Sequence, residues 1–401
     1  MKVLVADKFP EDGIEHIKSL GCTVTYNPEL KEYSLLGELK SNEYEILVVR
    51  STRVTGEMIE ASPFLSLIVR AGSGVNTIDV ETASKRSVYV ANCPGKNAKA
   101  VAELAFGLIL SIDRRIPDNV FELRKGHWNK KEFSKARGIF GRTLGIIGIG
   151  RIGREMIIRA RGFGMRIVGW SRSLSEEKAR ALGIERCSSI LEVAELSDVI
   201  SVHLALTGET RKIINRDFFN RMKPGAYFIN TSRAEIVDQE ALIEAMNNRG
   251  IRVGLDVFEE EPEVKEGRFD SRLKDHPNLY GTHHIGASTE QAQQAVAEET
   301  VRIISEYLQT GKVPNCVNLI DKPPARAMLT IHHRNRVGIL ASVLDVIRDA
   351  GINVERMENI IFQGLEGACA RIELDDLLKN DSIDQLKNLS PDIYTVTQVT
   401  L

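Results

Sequence analysis

The run TLGIIGIGRIG at residues 143–153 constrains the fold of this chain more than any other segment. It predicts a short apolar strand that leads into Gly148-x-Gly150-x-x-Gly153 and then into a helix. In such a turn the first glycine permits the tight bend, the second lets a phosphate approach the backbone, and the third lets helix and strand pack closely. Because the apolar segment at residues 166–170 predicts a second strand, we expect a βαβ unit that binds a dinucleotide at the helix N-terminus.

Short apolar segments alternate with helical stretches on both sides of this motif, which predicts a mostly parallel sheet before it and another after it. The fold class that we predict is α/β, with one flavodoxin-like and one Rossmann-like doubly wound domain. The apolar segments lie at residues 3–6, 46–49, 67–69 and 88–91 before the motif, and at residues 166–170, 199–204, 227–230, 253–257 and 279–282 after it.

A change of pattern after Lys322-Pro323-Pro324 indicates a linker followed by a further domain. The remaining residues predict the element order βαββαβ, which suits a regulatory or assembly module. The domains that we expect are a discontinuous substrate-binding domain at residues 1–98 and 288–320, a dinucleotide-binding domain at residues 99–287, and this last domain at residues 326–401.

Charge and composition exclude several classes of protein. The 53 Lys and Arg residues nearly balance the 55 Asp and Glu residues, which argues against nucleic-acid or membrane-surface partners. Five scattered cysteines without a CxxC motif favour reduced thiols and no metal site. The N-terminus lacks the apolar core of a signal peptide, and no apolar run approaches the ~20 residues needed to span a bilayer. We therefore expect a soluble cytoplasmic protein.

Three segments after the glycine motif supply a cation, a carboxylate and an imidazole at predicted strand ends, where ligands bind in such sheets. They contain Arg233, Glu261 and His284. Oxidation of a 2-hydroxy acid needs these roles: a base takes the hydroxyl proton as hydride leaves for a nicotinamide, a carboxylate orients the base and raises its pKa, and an arginine binds the substrate carboxylate. Each residue alone also has an ordinary structural explanation, such as a solvated acidic turn for the three glutamates. Together they favour catalysis.

At these motifs the chain resembles the D-isomer-specific 2-hydroxyacid dehydrogenase family, and within it the 3-phosphoglycerate dehydrogenases, over essentially its whole length. The resemblance implies that Arg233 binds substrate, that Glu261 orients the base and that His284 is the acid/base. The segments that carry it are RAGSGV (70–75), AELAFGLIL (102–110), GIGRIG (148–153), NTSRAEIVD (230–238), LDVFEEEP (255–262) and HIGAST (284–289).

The same resemblance assigns the binding of cofactor and substrate carboxylate. It places the carboxylate on the Ser73–Gly74 backbone and the nicotinamide amide on Asp256. His203 and Ala205 would line the adenine side, and Thr231 and Ser232 the nicotinamide side. The cofactor-binding residues that we expect are Gly148, Gly150, Arg151, Ile152, Gly153, Ser171, Arg172, His203, Ala205, Thr231, Ser232, Asp256, His284 and Gly286.

Two arginines at strand ends indicate a phosphorylated substrate. Arg50 follows EILVV and Arg70 follows LSLIV, so both are expected to face the cleft. Two guanidinium groups suit a doubly charged phosphate, and Lys96 or Asn97 would add to them. The alternative is that both arginines merely cap strands at the surface.

Two departures from the family pattern matter. His283 stands where the family usually has proline, and we choose His284 as the base because it alone precedes Ile-Gly-Ala-Ser-Thr. The second departure is Ser171-Arg172, where an NAD enzyme usually has an acid that bonds the ribose 2′-hydroxyl. A hydroxyl and an arginine fit a 2′-phosphate better, so the predicted cofactor is NAD or NADP, with NADP tolerated or preferred.

The C-terminal residues resemble an ACT domain, an amino-acid-binding βαββαβ fold, although Val337 replaces the usual proline. The resemblance implies an L-serine effector held between two paired tails by His333, Asn335 and Asn353. Pairing of two sheet edges would also produce a dimer or tetramer. The alternative is a tail that only mediates assembly.

The function implied by these resemblances is hydride transfer between 3-phosphoglycerate and 3-phosphohydroxypyruvate, the first step of L-serine biosynthesis. Within the enzyme class the alternative is a glyoxylate or hydroxypyruvate reductase, against which the ACT-like tail argues. From another class, the alternative is a cofactor-sensing, corepressor-like binding protein. The complete set of Arg233, Glu261 and His284 argues against this second alternative.

Overall fold

The computed structural model describes residues 1–262, 266–320, 322 and 324–401. Pro323 of the expected linker therefore lies outside the described residues. The chain divides into two compact units, Met1–Asn318 and Leu319–Leu401. Among the described residues, no helix is both long and apolar enough to cross a bilayer.

The first unit begins with a five-stranded parallel sheet in the order β2-β1-β3-β4-β5. The switch in strand order falls between β1 and β3, and ligands bind at the carboxyl ends of strands beside such a switch. The strands are β1 (Lys2–Val5), β2 (Thr23–Tyr26), β3 (Ile46–Val49), β4 (Leu67–Arg70) and β5 (Tyr89–Asn92). The helices are α1 (Glu11–Ser19), α2 (Glu32–Ser41), α3 (Gly56–Glu60) and α4 (Val80–Lys85).

A seven-stranded parallel sheet follows, in the order β12-β11-β10-β9-β6-β7-β8. Its strands are β6 (Thr143–Ile147), β7 (Arg166–Trp170), β8 (Glu185–Arg186), β9 (Val199–Val202), β10 (Tyr227–Asn230), β11 (Arg252–Leu255) and β12 (Leu279–Gly281). The helices are α5 (Ala98–Arg114), α6 (Ile116–Arg124), α7 (Lys130–Phe133), α8 (Arg151–Gly162), α9 (Glu176–Ala181), α10 (Ile190–Leu196), α11 (Arg216–Arg221) and α12 (Gln239–Arg249), with a 3₁₀ turn at Ala234–Ile236.

Helix α13 (Glu290–Thr310) returns the chain to the first sheet. Thr289 caps its N-terminus by accepting the Ala292 N–H, 3.2 Å away. Ile303 and Ile304 are fully buried in the same apolar cluster as Val3 and Val5 of β1. The chain that forms the second sheet is thus inserted between two segments that pack on the first.

The C-terminal unit is an antiparallel sheet in the order β14-β15-β13-β16 with helices packed on its buried face. Its elements are β13 (Ala327–Arg334), α14 (Ile339–Asp349), β14 (Val354–Ile361), β15 (Gly367–Leu374), α15 (Asn380–Lys387) and β16 (Ile393–Thr400). The predicted fold class, two doubly wound parallel sheets and a βαββαβ tail, is confirmed. Strands β2 and β8 were not predicted, because they are partly or fully exposed and lack an apolar run.

Candidate active site

A cavity of about 480 Å³ opens at the carboxyl edge of the first sheet. The structure brings four predicted residues to its wall, namely Arg50, Arg70, Asn97 and His284. Lys8, which the sequence analysis missed, also lines it. Residues from the first sheet therefore face the imidazole that follows the last strand of the second sheet.

Asp7 is a carboxylate in the wall of this cavity, and it organises the backbone beside Arg50. Its Oδ2 accepts the N–H groups of Arg50, Ser51 and Thr52 at 2.7, 3.0 and 2.9 Å. Burial alone would raise the pKa of Asp7, but these backbone hydrogen bonds lower it below its ordinary value. Asp7 is therefore ionised and fixes the turn that carries Arg50.

Arg70 is held among other cations. Its pKa is lowered, first by burial and then by the charges of Arg233 and Arg50. Its Nε is buried and has no hydrogen-bond partner in the part of the chain that the structure describes. A partly buried cation with an unpaired Nε–H, beside two like charges, favours an anionic ligand, which would supply the missing partner.

Arg233 lies beside the Ser73–Gly74 turn, so two predicted carboxylate-binding groups meet. A Cβ placed on Gly74 would lie 3.2 Å from the Arg233 guanidinium. Asn92 Nδ2 donates to the Ser73 carbonyl at 2.7 Å, and Ser73 Oγ donates to Asn97 Oδ1 at 2.8 Å. Among the described residues, the N–H groups of Ser73 and Gly74 have no protein acceptor. They remain available to a ligand.

His284 and Glu261 form a hydrogen-bonded pair, with His284 Nδ1 2.8 Å from Glu261 Oε2. The other Glu261 oxygen accepts the Phe258 N–H at 2.9 Å. The hydrogen bond that Glu261 accepts from His284 raises the pKa of this imidazole, against the opposing effect of burial. Burial alone would raise the pKa of Glu261, but its bonds to His284 and Phe258 lower it. His284 can therefore act as a proton acceptor whose protonated form is stabilised.

Asp256 is buried, and it positions the loop that carries His284. Its Oδ1 accepts the Thr282 hydroxyl at 2.6 Å and the Ile285 N–H at 2.8 Å, and its Oδ2 accepts the Gly286 N–H at 2.8 Å. The backbone of His284 itself is left-handed, with φ of +52°, which is uncommon outside glycine. The contacts of Asp256 hold this unusual turn. The nicotinamide contact expected from the family resemblance would use further lone pairs of the same carboxylate.

For the hydroxy-acid oxidation that the family resemblance implies, replacing Glu261 with glutamine is expected to move the pH profile of kcat/KM to lower pH. That reaction would use neutral His284 as the base, and loss of the carboxylate charge would lower the pKa of this imidazole. The measurement is the pH dependence of initial rates. Glu260→Gln is the matched control, since Glu260 bonds Gln239 and Ser271 instead. A Glu261→Gln profile that coincides with wild type would contradict the pairing.

The glycines of residues 148–153 have distinct geometric roles at the start of α8. Gly148 has φ of +98°, and a Cβ there would overlap the His203 carbonyl group. A Cβ on Gly153 would overlap the Gly148 carbonyl oxygen, so the helix packs directly on the turn. Nothing lies within 4 Å of the Cβ position of Gly150. The turn therefore leaves open space at the helix N-terminus, where pyrophosphate binds in this kind of unit.

Two buried polar atoms that follow neighbouring strands β9 and β10 lack hydrogen-bond partners among the described residues: His203 Nδ1 and Thr231 Oγ1. Burial lowers the pKa of His203 to about 3, so its ring is neutral, and its Nε2 bonds Ser201 Oγ at 2.9 Å. Ser232 is fixed by Asn230, whose Oδ1 accepts its hydroxyl at 2.6 Å. Unpaired polar atoms at the carboxyl edge of the sheet that carries the open helix terminus fit a bound dinucleotide.

Other predicted cofactor residues point elsewhere or remain exposed. The Arg151 side chain donates to the Pro94 carbonyl, and Ile152 packs on the apolar core of the second sheet. Ala205 is exposed. Lys96, considered for phosphate binding, lies 3.2 Å from Glu299 Oε2 instead. In the structure, the side chains of Arg151 and Ile152 are therefore engaged by other parts of the protein, and Lys96 is paired with an acid.

Arg172 has a partner that the sequence analysis did not find. Its Nη1 lies 2.9 Å from Glu209 Oε2, and both side chains are highly exposed. Glu209 follows β9 and Arg172 follows β7, so this ion pair joins the loops after two strands that are separated in the sheet by β6. An acid is thus present beside Ser171 and Arg172, although it lies 37 residues further along the chain.

The three residues expected to bind an effector are separated in one tail. His333 is buried and bonds Asn359, 3.3 Å away, while Asn335 donates to the Leu365 carbonyl at 3.0 Å. Asn353 precedes β14 and donates to Glu355 at 3.0 Å. In the sheet register, Val354 and Ala327 both pair with Leu374, whereas Arg334 pairs with Gly367 at the other end. One tail therefore presents Asn353 and the His333–Asn335 pair at opposite sheet ends.

Comparison with known proteins gives a consistent picture. Residues 106–286 match the family described as D-isomer specific 2-hydroxyacid dehydrogenase, NAD binding domain. The chain is 37% identical to a D-3-phosphoglycerate dehydrogenase of Methanocaldococcus jannaschii, over 93% of this chain and 67% of that protein. It is 38% identical to a glyoxylate reductase of Thermococcus litoralis, over 80% of this chain and 99% of that protein.

A solved structure agrees with these relatives. NAD⁺-bound 3-phosphoglycerate dehydrogenase of Entamoeba histolytica superposes with a TM-score of 0.66 at 27% identity, over 80% of this chain and 99% of that one. The chain spans only 59% of the length of a second phosphoglycerate dehydrogenase, that of Bacillus subtilis. The 93% match extends into the C-terminal unit, since the first unit ends at Asn318.

Proposed function

Because this chain belongs to the D-isomer-specific 2-hydroxyacid dehydrogenase family, and is thus an NAD-dependent oxidoreductase, we propose that it interconverts 3-phosphoglycerate and 3-phosphohydroxypyruvate. This reaction opens L-serine biosynthesis. The observation that carries the proposal is the cationic wall of the cavity, where Arg50 and Arg70 lie with His284. A hydroxy acid with a single carboxylate would leave this excess of positive charge uncompensated.

The arrangement supports a division of roles in oxidation. Arg233 and the Ser73 and Gly74 N–H groups bind the substrate carboxylate and orient its 2-hydroxyl toward His284. His284 accepts the hydroxyl proton on Nε2, and Glu261 stabilises the resulting imidazolium through the Nδ1–H bond. A nicotinamide dinucleotide held at the glycine turn of residues 148–153 would supply the hydride acceptor for the substrate carbon that bears the hydroxyl. In reduction, His284 returns the proton to the carbonyl oxygen.

The proposed cofactor is NAD or NADP, with NADP tolerated. Ser171 offers a hydroxyl at the end of β7, and Arg172 offers a cation that can bind a 2′-phosphate. Glu209 pairs with this arginine at 2.9 Å. Because both side chains are exposed, the pair is weak and a phosphate can displace the carboxylate.

The experiment that tests the proposed function is a substrate panel run with both cofactors. The panel contains 3-phosphoglycerate, glycerate, glyoxylate and hydroxypyruvate. We expect the highest kcat/KM for 3-phosphoglycerate, and measurable turnover with NADP. Preference for glyoxylate or unphosphorylated hydroxypyruvate would instead make the chain a reductase of those acids. Absence of turnover with cofactor binding retained would favour a cofactor-sensing binding protein.

The tail is proposed to bind L-serine between two chains. The separation of Asn353 from His333 and Asn335 in the sheet register supports a site that is shared by two tails, because one tail cannot bring the three side chains to one small ligand. Titration calorimetry with L-serine is expected to show binding to wild type and none to Asn353→Ala. Asn388→Ala is the control, since the Asn388 side chain donates to the Asp384 carbonyl at the end of α15. Equal binding by Asn353→Ala and wild type would leave the tail an assembly role.

A further inference from the structure

Three neighbouring strands of the first sheet each deliver a cation to the same cavity. Lys8 follows β1, Arg50 follows β3 and Arg70 ends β4. These strands are adjacent and parallel, with Val5 beside Val48 and Val49 beside Arg70. The carboxyl ends of adjacent parallel strands meet at one edge, so the three side chains form a continuous cationic row. Lys8 and Arg50 flank the switch in strand order, where such sheets bind ligands.

The positive charge of this row is not cancelled by the protein. Asp7 is the one acid in the described wall of the cavity, and its two oxygens accept three backbone N–H groups and the Ser51 hydroxyl. Among the described residues, no carboxylate forms an ion pair with Lys8, Arg50 or Arg70. Even with Asp7 counted, the wall retains excess positive charge before Arg233 is considered.

The row also has a direction relative to the reaction centre. Arg70 lies toward Arg233, since the Arg70 guanidinium lies over Gly72 and the Arg233 guanidinium lies beside Gly74, two residues further along the same turn. Arg50 comes next along the sheet edge, and Lys8 lies beyond it on β1. A substrate whose carboxylate is held by Arg233 and the Ser73–Gly74 turn therefore extends its far end toward Arg50 and Lys8.

We propose that Lys8 is the third cation of a subsite for the far dianionic group of the substrate, and that it determines selection of phosphorylated over unphosphorylated hydroxy acids. This inference rests on the proposed function and deepens it. Arg50 and Arg70 hold the dianion through planar donor pairs, and Lys8 adds a point charge on a flexible side chain in the cavity wall. Lys8 is exposed, so the ligand must recruit it, which makes its contribution sensitive to ionic strength.

The test compares Lys8→Met, Lys8→Arg and the control Lys18→Met, whose lysine pairs with Glu15 on α1 outside the described cavity wall. In Lys8→Met we expect KM for 3-phosphoglycerate to rise about 10-fold, the loss of one charge-assisted contact. Its kcat and its kcat/KM for glycerate should stay within about twofold of wild type. Lys8→Arg should restore most of the affinity, and Lys18→Met should match wild type.

A second readout separates this inference from the proposed function. Inorganic phosphate is titrated as a competitive inhibitor of whichever hydroxy acid the wild type turns over. Weaker phosphate inhibition in Lys8→Met than in wild type supports the subsite even if phosphoglycerate itself proves a poor substrate. Equal inhibition of both proteins, no inhibition of either, or equal losses of kcat/KM on phosphorylated and unphosphorylated substrates would overturn it.

Discussion

Replacing His284 with alanine is expected to lower kcat by about 10²–10⁴, the usual contribution of a positioned general acid/base. The imidazole bonds Glu261 at 2.8 Å and lines the cavity that holds Arg50 and Arg70. Without it, the hydroxyl proton has no acceptor as hydride leaves. Affinity for the dinucleotide, measured by fluorescence titration, should change little. The glycine turn follows β6 inside the second sheet, whereas His284 follows β12 at its edge.

His283→Ala is the matched control for this variant. The neighbouring histidine is exposed and does not belong to the described cavity wall. We therefore expect its kcat to stay within about threefold of wild type, as for most surface substitutions. Near-normal turnover by His284→Ala, or an equal loss in His283→Ala, would refute the assignment of His284.

Two glycine variants should separate folding from cofactor binding. Gly148→Ala adds a Cβ that overlaps the His203 carbonyl group at a residue with φ of +98°. Left-handed backbone costs a non-glycine residue about 1–2 kcal/mol. The new Cβ would also displace the His203 carbonyl group, which follows β9, and this adds to the cost. We expect the free energy of unfolding to fall by about 2–4 kcal/mol, with a clear loss in Tm in thermal unfolding.

Gly150→Ala should behave differently, although it lies two residues away. Its φ is −78° and its Cβ position is open, so Tm should stay close to that of wild type. The new methyl group would occupy the space through which a pyrophosphate approaches the backbone, and we expect the dinucleotide Kd to rise about 10-fold or more. A stable Gly148→Ala, or a Gly150→Ala with unchanged Kd, would contradict the geometry of this turn.

Sequence pattern predicted most of the framework because the central strands are buried on both faces. In β3, every residue from Ile46 to Val49 is buried, and such apolar runs bounded by helices identify parallel strands. The glycine spacing at residues 148–153 was also informative, because side chains at Gly148 and Gly153 would overlap the backbone of the turn. Strand β2 (Thr23–Tyr26) is only partly buried, so the apolar pattern that identifies the others is absent there.

The residues that sequence reasoning missed depend on contacts between distant segments. Nothing near Lys8 marks it as a ligand, and only the adjacency of β1 and β3 brings it beside Arg50. Chain order would have placed β2 between them. Glu209 was missed for the same reason, since its pairing with Arg172 depends on two loops that meet only in the folded sheet.

The left-handed backbone at His284 has a consequence for how this protein can evolve. With φ of +52°, this residue occupies a conformation that glycine would adopt without penalty. A histidine there gives up about 1–2 kcal/mol of folding free energy, and the contacts of Asp256 with Ile285 and Gly286 compensate for it. Selection for stability alone would favour glycine at this position. The chain retains an imidazole in a turn whose backbone conformation disfavours it. The lost folding free energy is thus the cost of directing the His284 imidazole into the cavity.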